Sequence, residues 1–332
     1  MENVALQGGW SGGPRGDTRE ARTRTAFTGV ARVLALAVGL SAAVAATDYY
    51  VNGTSGSDAY DGLAQTWDGT HGPKATIQAT INAAASGDTI TVAQGTYAEA
   101  ITFGGRNLTL RSSDPGNWTV VCATIINGGG DPYGTPVTAV IFSSGETAAA
   151  VLAGFTITTV WGRGVVCSGA SPTIRNCRVN GNSSYTGGGF SLSGSSATIR
   201  NCLMYGNSTG MEGAGGVYSQ GGSPTLVNCT IAGNSAGMGG AYAGGVGVSS
   251  GSATLRNCIL WGNTYAGMTE QGYVSTNAAA TVSTSCIEDG TSGISGNVTW
   301  GTGNIAGNPL FADSANGDYH LQSVYGRWNG TT

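Results

Sequence analysis

Apolar and polar residues alternate along many short segments of this chain, with the period of two that is typical of β-strands. The clearest alternation lies in a twelve-residue segment that occurs four times, at residues 171–182, 196–207, 223–234 and 252–263. Connectors of 13, 15 and 17 residues join the copies. Self-similarity at this period predicts a solenoid, in which each repeat forms one turn and buries its apolar face on its neighbours.

Within each copy an aliphatic residue follows a Thr and, in three of the four copies, precedes an Arg. A second alternating segment starts at the Cys beyond an Asn that marks a bend. Each connector contributes a third segment: these are Phe190–Leu192, Val217–Ser219 and Val246–Val248. Three short strands per turn, without helical spacing and with many Gly and Asn residues, predict an all-β fold of the parallel β-helix type. The Leu-x-x-Leu-x-Leu frame of a leucine-rich repeat is absent.

The composition agrees with a solenoid that has many tight turns. Gly accounts for 58 of 332 residues, only 10% of the residues are charged, and the single lysine is Lys74. Such a composition lowers helix propensity, and it also occurs in disordered chains. The regularly spaced Ile, Leu, Val and Cys positions favour a folded protein because they supply a continuous core.

Residues 1–46 are interpreted as a signal peptide with a basic leader. Five arginines precede the apolar run 33–45, which is too short to span a bilayer and ends in the small-residue pattern Ala43–Ala45. An uncleaved anchor is the alternative. Removal of residues 1–45 takes away five Arg and three acidic residues, so the formal charge changes from −4 to −6. We therefore expect no transmembrane span after cleavage and no nucleic acid as partner.

The remaining chain divides into three regions. Residues 47–115 are predicted to form an N-terminal cap and the first coil, with an amphipathic helix at Thr76–Ser86 that covers the open end of the core. Residues 116–311 are predicted to form the β-helix coils, with clear repeats over 171–263. Residues 312–332 are expected to be an exit segment of a truncated reading frame. Less regular strands are expected at Thr119–Cys122, Thr124–Ile126, Val137–Phe142 and Val151–Ile157.

Several segments resemble a known superfamily. Tyr49–Gly62, Ala75–Ala84 and Gly87–Tyr97 together resemble the N-terminal region of right-handed parallel β-helix proteins, which include pectate lyases and chondroitinase-type lyases. The Gly-Gly and x-x-Gly-Asn repeats are similar to those of chlamydial polymorphic outer-membrane proteins. Gly303–Asp313 and Gly317–Leu321 are similar to the exit segment of secreted bacterial β-helix proteins. The resemblance covers nearly all of residues 48–321 and implies a right-handed parallel β-helix, but it is specific for the fold rather than for an activity.

Two residue columns follow from the repeats. Cys177, Cys202, Cys229 and Cys258 share one position, and Cys286 follows 28 residues later. Export favours disulfides, but stacked positions on parallel strands lie ~4.8 Å apart with parallel Cβ vectors, which fits disulfide torsions poorly. We therefore predict buried free thiols that pack as small hydrophobes. A second column, predicted to be an internal amide ladder at a bend, comprises Asn176, Asn201, Asn228 and Asn257.

The residues needed for catalysis are scarce in the central turns. The resemblance implies lyases that combine acidic Ca²⁺ ligands with an Arg or Lys base, and hydrolases that use clustered Asp residues. Between Thr147 and Thr269 the only acidic residue is Glu212, and Lys, His and Asp are missing. Asp58 and Asp61 form a candidate Ca²⁺ site on one loop, with a turn-forming role as the alternative. No other cofactor is expected.

A binding role has its own candidate residues. Arg175, Arg200 and Arg256 are predicted to point outward, as are Tyr205 and Trp261. Arginines and aromatic rings on a β-helix face can hold an extended polysaccharide by charge-assisted hydrogen bonds and stacking. The connectors add candidates on the edge where repeat proteins carry binding loops, namely Tyr185, Met211, Met238 and Tyr242. The alternative is a solvated arginine column beside threonines that favour strands.

These observations favour an exported, secreted or cell-surface β-helix protein without catalytic activity. Its role is expected to be structural, adhesive or polysaccharide-binding, with a polysaccharide or a cell-surface glycan as partner. A polysaccharide lyase or glycoside hydrolase is the alternative function.

Overall fold

The computed structural model describes residues 45–131, 134–238 and 241–322, with the side chains of residues 241 and 242 excepted. These residues form a right-handed parallel β-helix with few helical segments, which confirms the predicted fold class. Residues 1–44 of the predicted leader and the last ten residues lie outside the described residues. The signal peptide and the truncation therefore stay predictions.

Three parallel sheets run along the solenoid. Sheet A contains Asp48–Val51, Thr89–Val92, Thr109–Ser112, Val151–Ala153, Thr173–Arg175, Thr198–Arg200, Thr225–Val227, Val246–Arg256, Ala278–Ser283 and Val298–Trp300. Sheet B contains Gly95–Tyr97, Thr124–Asn127, Thr156–Thr158, Arg178–Asn180, Leu203–Tyr205, Thr230–Ala232, Ile259–Trp261 and Cys286–Ile287.

Sheet C completes each turn. It contains Ile101–Thr102, Val140–Phe142, Val165–Ser168, Phe190–Ser193, Val217–Gln220, the first part of Val246–Arg256, Gly272–Val274 and Ile294–Gly296. The strand Val246–Arg256 runs from sheet C into sheet A without a break. The three predicted strands per turn are thus present.

Equivalent positions of successive repeats stack in register. Ile174 pairs with Ile199, and Ile199 pairs with Leu226. These side chains are at most 1% exposed, and they belong to one core that extends from Val51 to Ile294. The period of two places the aliphatic residue inside and its Thr and Arg neighbours outside. Because each turn repeats this pattern, burial continues along the whole axis.

A short helix, Ile77–Ala83, closes the N-terminal end of the core as predicted. Thr76 is its N-cap, and the Thr76 hydroxyl accepts a hydrogen bond from the backbone of Ala79 at 3.3 Å. Ile77 and Ile81 are fully buried in the core. The apolar stripe read from the sequence therefore covers the first coil.

One predicted strand is wrong: Thr119–Cys122 lies in a second helix, Trp118–Ala123. Asn117 caps this helix by accepting a hydrogen bond from the backbone of Thr119 at 3.0 Å. The position of this turn in sheet B is filled by Thr124–Asn127, which pairs with Gly95–Tyr97. The β-branched valines before it are buried by the helix instead, so tertiary packing overrides their strand propensity.

The connectors also form a small sheet D that the sequence pattern did not predict. Its strands are Ser183–Thr186, Ser208–Ala214, Ser235–Ala236, Thr264–Tyr265 and Met268–Thr269, and Ala241–Ala243 pairs with the second of them. Backbone pairing between stacked connectors does not require alternating side chains. Connectors of different lengths can therefore pair as strands although their sequences do not alternate apolar and polar residues.

The C-terminal segment folds back as an antiparallel hairpin, with strands Phe311–Asp313 and Asp318–Leu321. A 3₁₀ turn, Ser314–Asn316, joins its strands, and another 3₁₀ turn, Gly290–Ser292, lies in the last coil. The ring of Tyr319 packs against that of Tyr205 in sheet B, with centroids 5.1 Å apart. The hairpin therefore lies on the outer side of sheet B.

The predicted cysteine column is present and its thiols are free. Cys177, Cys202, Cys229 and Cys258 are at most 3% exposed. Burial raises the pKa of the Cys202 thiol well above its usual value. The column of cysteines ends at Cys258. Because Ile259 pairs with Cys286, the residue that stacks on Cys258 in the next turn is Ser285.

The predicted asparagine ladder forms at the bend between sheets A and B. Asn176, Asn201, Asn228 and Asn257 have positive φ angles of 53–56°, and each of the last three donates a side-chain N–H to the preceding carboxamide oxygen, at 3.3, 3.0 and 2.7 Å. However, Asn201, Asn228 and Asn257 are exposed. The expectation of an internal ladder is wrong because the left-handed backbone at the bend turns these side chains outward.

A second asparagine ladder is buried, and it comes from the last residue of each repeat. Asn182, Asn207, Asn234 and Asn263 are at most 1% exposed. Each of the first three donates its amide N–H to the next carboxamide oxygen, at 2.8–2.9 Å. Gln271 and Glu288 continue the chain of hydrogen bonds at 2.7 Å each. Each buried amide thus finds partners in the turns above and below it.

We predict that native protein exposes at most one thiol to a thiol-specific reagent, because only Cys122 is half-buried rather than buried. All seven thiols should react after denaturation. Cys202→Ser should lower the free energy of unfolding by only about 1 kcal/mol, because a serine hydroxyl can find an acceptor at this position. Ser285, which occupies the same column, donates its hydroxyl to the backbone carbonyl of Ser283 at 2.8 Å. A shortfall of two or more thiols in denaturant would reveal a disulfide and contradict the stacking geometry.

We predict that the buried ladder contributes far more stability than the exposed one. Asn207→Ala removes an amide that accepts from the backbone and side chain of Asn182 and donates to Val179 and Asn234. The free energy of unfolding in urea should fall by about 2–4 kcal/mol, because buried polar groups lose their partners. Asn201→Gly is the control in the exposed ladder, and it should cost less than about 1 kcal/mol since Gly adopts positive φ freely. Equal losses would contradict this assignment.

Candidate functional site

The outer face of sheet A carries the predicted arginines in one column. Arg175 pairs with Arg200, Arg200 with Val227, and Val227 with Arg256. Neighbouring strands lie ~4.8 Å apart, so the guanidinium groups follow the solenoid axis. A parallel column of hydroxyl groups is formed by Thr173, Thr198, Thr225 and Thr254. We call these two columns the arginine face.

The arginine face is open to solvent and its charge is not neutralised. Arg200 and Arg256 are exposed and Arg175 is half-buried. Within the described ranges, no hydrogen bond or ion pair involves any of these three guanidinium groups. Glu212, the only acidic residue of the central turns, lies on a connector strand of sheet D rather than on sheet A. The face therefore presents fixed positive charge on three of four successive strands, with Val227 at the fourth position.

A cleft of about 340 Å³ lies at the N-terminal end of the same face. Tyr50, Thr91 and Arg111 come from three adjacent strands in register, and Gln65 and Thr66 of the N-terminal loop also line it. Sequence reasoning missed Arg111. The signal was present, because Thr109–Arg111 repeats the Thr-aliphatic-Arg pattern of Thr173–Arg175. Ala153 pairs with Arg111 on one side and with Arg175 on the other, so it interrupts the arginine column between these two residues.

Tyr205 and Trp261 lie on sheet B, not on the arginine face. They occupy one column, in which Tyr205 pairs with Ala232 and Ala232 with Trp261. Tyr205 is covered on one side by Tyr319 of the hairpin, and the Arg178 guanidinium lies 5.0 Å from its ring centroid and donates to its hydroxyl. The expected single surface of arginines and aromatic rings is thus not present. The asparagine bend places the arginines on sheet A and the aromatic rings on sheet B.

Asp58 and Asp61 bind groups of the N-terminal loop. The Asp58 carboxylate accepts from the backbone of Ala75 and Thr76 and from the Thr76 hydroxyl, at 2.9–3.0 Å. The Asp61 carboxylate accepts from the backbone of Leu63 at 3.0 Å and pairs with the His71 ring. In the part of the chain that the structure describes, no three His, Cys, Asp or Glu side chains cluster as metal ligands. The two carboxylates therefore hold the loop against the helix start.

Other carboxylates also bind backbone groups. Glu99 accepts from the backbone of Ile77 and Gln78 at 2.8 and 2.9 Å. The buried Glu146 accepts from Gly105 and Ser144 at 2.8 and 2.9 Å. Burial raises the pKa of Glu270, whose carboxylate accepts from the Ser295 hydroxyl at 3.1 Å. These contacts fix turns and strand ends, and none of these carboxylates lies on the arginine face.

The connector candidates Tyr185, Met211 and Met238 are exposed, at 52%, 52% and 81%. They lie on the sheet D side of the solenoid, away from sheet A. The side chain of Tyr242 lies outside the described residues. The connectors therefore form a surface that is separate from the arginine face.

The comparisons with known proteins agree with this architecture. A family model described as the right handed beta helix region matches residues 163–322. The fold is similar to that of the pectin methylesterase from Aspergillus niger, with a TM-score of 0.52 and 15% sequence identity over 80% of this chain and 88% of that chain. This likeness concerns the fold alone. The class defined by these findings is that of the right-handed parallel β-helix fold, as the resemblance seen in the sequence implied.

A second solved structure, the GH136 lacto-N-biosidase from Eubacterium ramulus, aligns with a TM-score of 0.27 and 12% identity. The alignment covers 73% of this chain and 43% of that chain. No curated protein matches the chain significantly. None of the helices in the described ranges has the length and apolar character that crossing a membrane requires.

The pair of Asp61 and His71 gives a prediction about pH. The hydrogen bond from His71 lowers the pKa of Asp61 to about 2, and the same carboxylate raises the pKa of His71 above 6.5. The Asp61 contribution to stability is present above its unfolded pKa and is lost as the pH falls through about 2. The His71 contribution is present below 6.5 and is lost as the pH rises through its folded pKa. The pair thus stabilises the loop between about pH 4 and 6.5.

An NMR titration of the His71 ring should therefore show a pKa above 6.5 in the parent protein. Asp61→Asn should bring it back to about 6.5. Asp68→Asn is the matched control and should change it less, because the Asp68 carboxylate bonds to the backbone of Thr70 and His71. An unchanged His71 pKa in Asp61→Asn would refute the pairing.

Proposed function

We propose that this chain is an exported, non-catalytic glycan-binding protein, whose arginine face holds an extended anionic polysaccharide. The observation that carries this proposal is the column of Arg175, Arg200 and Arg256, which follows the solenoid axis and has no acidic partner among the residues that the structure describes. The related fold of a pectin methylesterase, named for a carbohydrate substrate, supports a carbohydrate as ligand.

The electrostatics of the column favour a polyanion. Arg175 and Arg200 stand directly opposite each other on adjacent strands, and like charges in this arrangement destabilise a sheet. A carboxylate or sulfate group between two guanidinium groups removes this repulsion and forms charge-assisted hydrogen bonds. A ligand with charges repeated along its length can in addition reach Arg256, which lies two strands beyond Arg200. The positive face also attracts such a ligand over longer distances at low salt.

The shape of the face favours an extended chain rather than a compact ligand. Sheet A is continuous from Asp48–Val51 to Val298–Trp300, and its outer surface bears short Thr side chains beside the arginines. Threonine hydroxyls can donate to and accept from sugar hydroxyls. The cleft with Tyr50 and Arg111 lies at one end of this surface and offers a pocket for a terminal or branching sugar.

The same surface offers little for bond cleavage. General acid–base catalysis requires ionisable groups within hydrogen-bond reach of the reacting atoms. Between Thr147 and Thr269 the sequence has one acidic residue, Glu212, and that residue lies in sheet D. A non-catalytic binding role therefore fits the arginine face better than a polysaccharide lyase or glycoside hydrolase does.

We predict that changing Arg175, Arg200 and Arg256 together to Gln weakens binding to polygalacturonate or alginate about tenfold or more at low salt. Affinity of the parent should fall as NaCl rises, because exposed charges are screened. Biolayer interferometry on immobilised polysaccharide measures both effects. The thermal unfolding midpoint should not fall, since the arginines lie outside the core.

Two controls separate charge from other effects. The triple Arg→Lys variant should keep the salt dependence with part of the affinity, because Lys retains charge without the bidentate geometry. Glu212→Gln should bind like the parent. Unchanged affinity in the triple Gln variant would refute the arginine face. Release of reducing ends or unsaturated uronates, with or without Ca²⁺, would favour the enzymatic alternative and direct attention to Asp58 and Asp61.

A further inference from the structure

A groove follows the bend between sheets A and B and faces the C-terminal hairpin. It consists of two cavities of about 290 and 320 Å³, which share the lining residues Asn228 and Thr230 and therefore adjoin each other. Trp118 and His320 line one end, and Ile305 lines the other. Because its lining residues come from successive turns, the groove is elongated along the solenoid axis. We call it the bend groove.

One wall of the bend groove presents the same group at each turn. Asn201, Asn228 and Asn257 line it with exposed amides. A carboxamide has two N–H donors, and the ladder uses one of them in each of these side chains. A second donor per turn is thus available at intervals of ~4.8 Å. Identical donors at regular intervals suit a polymer with a repeating unit.

The opposite wall and one end are aromatic. Tyr319 is held on the hairpin by the rings of Tyr205 and Phe311, with centroids 5.1 and 5.0 Å away. The ring of Trp118 meets His320 edge-on at 6.3 Å and is 36% exposed. Aromatic faces combined with amide and hydroxyl donors provide both contact types of a sugar ring, which has apolar C–H faces and polar edges.

The lining of the bend groove contains no Lys, Arg, Asp or Glu. The one imidazole in the lining is that of His320, and its Nδ1 atom lies 2.6 Å from the Asp318 carboxylate. The groove therefore lacks the fixed charges of the arginine face. This difference points to an uncharged ligand.

We propose that the bend groove binds a linear, neutral polysaccharide in a second site that is independent of the arginine face. The repeated amides of the exposed ladder bind the hydroxyl groups of successive sugars, and Trp118 stacks on a sugar ring at the end of the groove. The hairpin forms the outer wall. The protein thereby joins a neutral glycan on one side of the bend to an anionic glycan on the other.

Isothermal titration of the full chain with cellohexaose, xylohexaose and laminarihexaose tests this site. At least one of these neutral hexasaccharides should bind with an affinity that does not change with NaCl concentration. Trp118→Ala should weaken that binding about fivefold or more, since the stacking surface is lost. Thr230→Trp should abolish it by filling the groove at the point where the two cavities meet.

Tyr185→Ala is the matched control, because Tyr185 is an exposed aromatic residue outside the groove. This variant should bind like the parent. The triple Gln variant of the arginine face should also retain neutral binding, so that failure of one site is distinguishable from failure of the other. The proposal is overturned if none of the three hexasaccharides binds the parent. It is likewise overturned if Trp118→Ala and Thr230→Trp bind like the parent, or if Tyr185→Ala loses as much affinity as Trp118→Ala.

Discussion

In-register stacking of parallel strands is the constraint on which the rest of this structure depends. Each turn finds its backbone hydrogen bonds in the turns above and below, so a residue type at one position of the repeat becomes a column along the axis. The bend at Asn176 and its equivalents keeps the register, since the positive φ of 53–56° recurs in four successive turns. A change of one residue in the frame would exchange inside and outside for the whole strand.

The columns inside the solenoid differ in chemistry from the columns on its surface. Inside, aliphatic and thiol side chains pack without charge, and the amides of Asn182, Asn207, Asn234 and Asn263 satisfy one another in a buried ladder. Outside, stacking places like charges next to each other in the arginine column, and in the exposed asparagine ladder it leaves one amide donor per side chain that the ladder does not use. The arginine face and the exposed amide ladder are both results of this repetition. A repeating polymer is the ligand whose spacing can match such surfaces.

Much of the fold was predictable from particular residues. The Thr-Ile-Arg-Asn-Cys frame predicted inward Ile174 and Cys177, outward Arg175 and a bend at Asn176, and the structure has each of them. The frame did not predict that the ladder at the bend is exposed, since stacked amides can hydrogen-bond to one another either inside the solenoid or on its surface. It also gave no sign that Thr119–Cys122 is helical, because valines in this segment favour strands until another segment occupies the sheet.

The sequence by itself determined which residues form columns, because period and register are local properties of the repeat. It thereby located the arginine column and the free thiols. Only the tertiary structure decided which columns share a surface. The asparagine bend moved Tyr205 and Trp261 to a different sheet from the arginines, and the hairpin covered Tyr205 with Tyr319. The bend groove likewise arises between Asn228 and the hairpin residues Gly317, Tyr319 and His320, which are far from it in the sequence. Contacts between such distant segments depend on how the chain folds back, which no short-range pattern records.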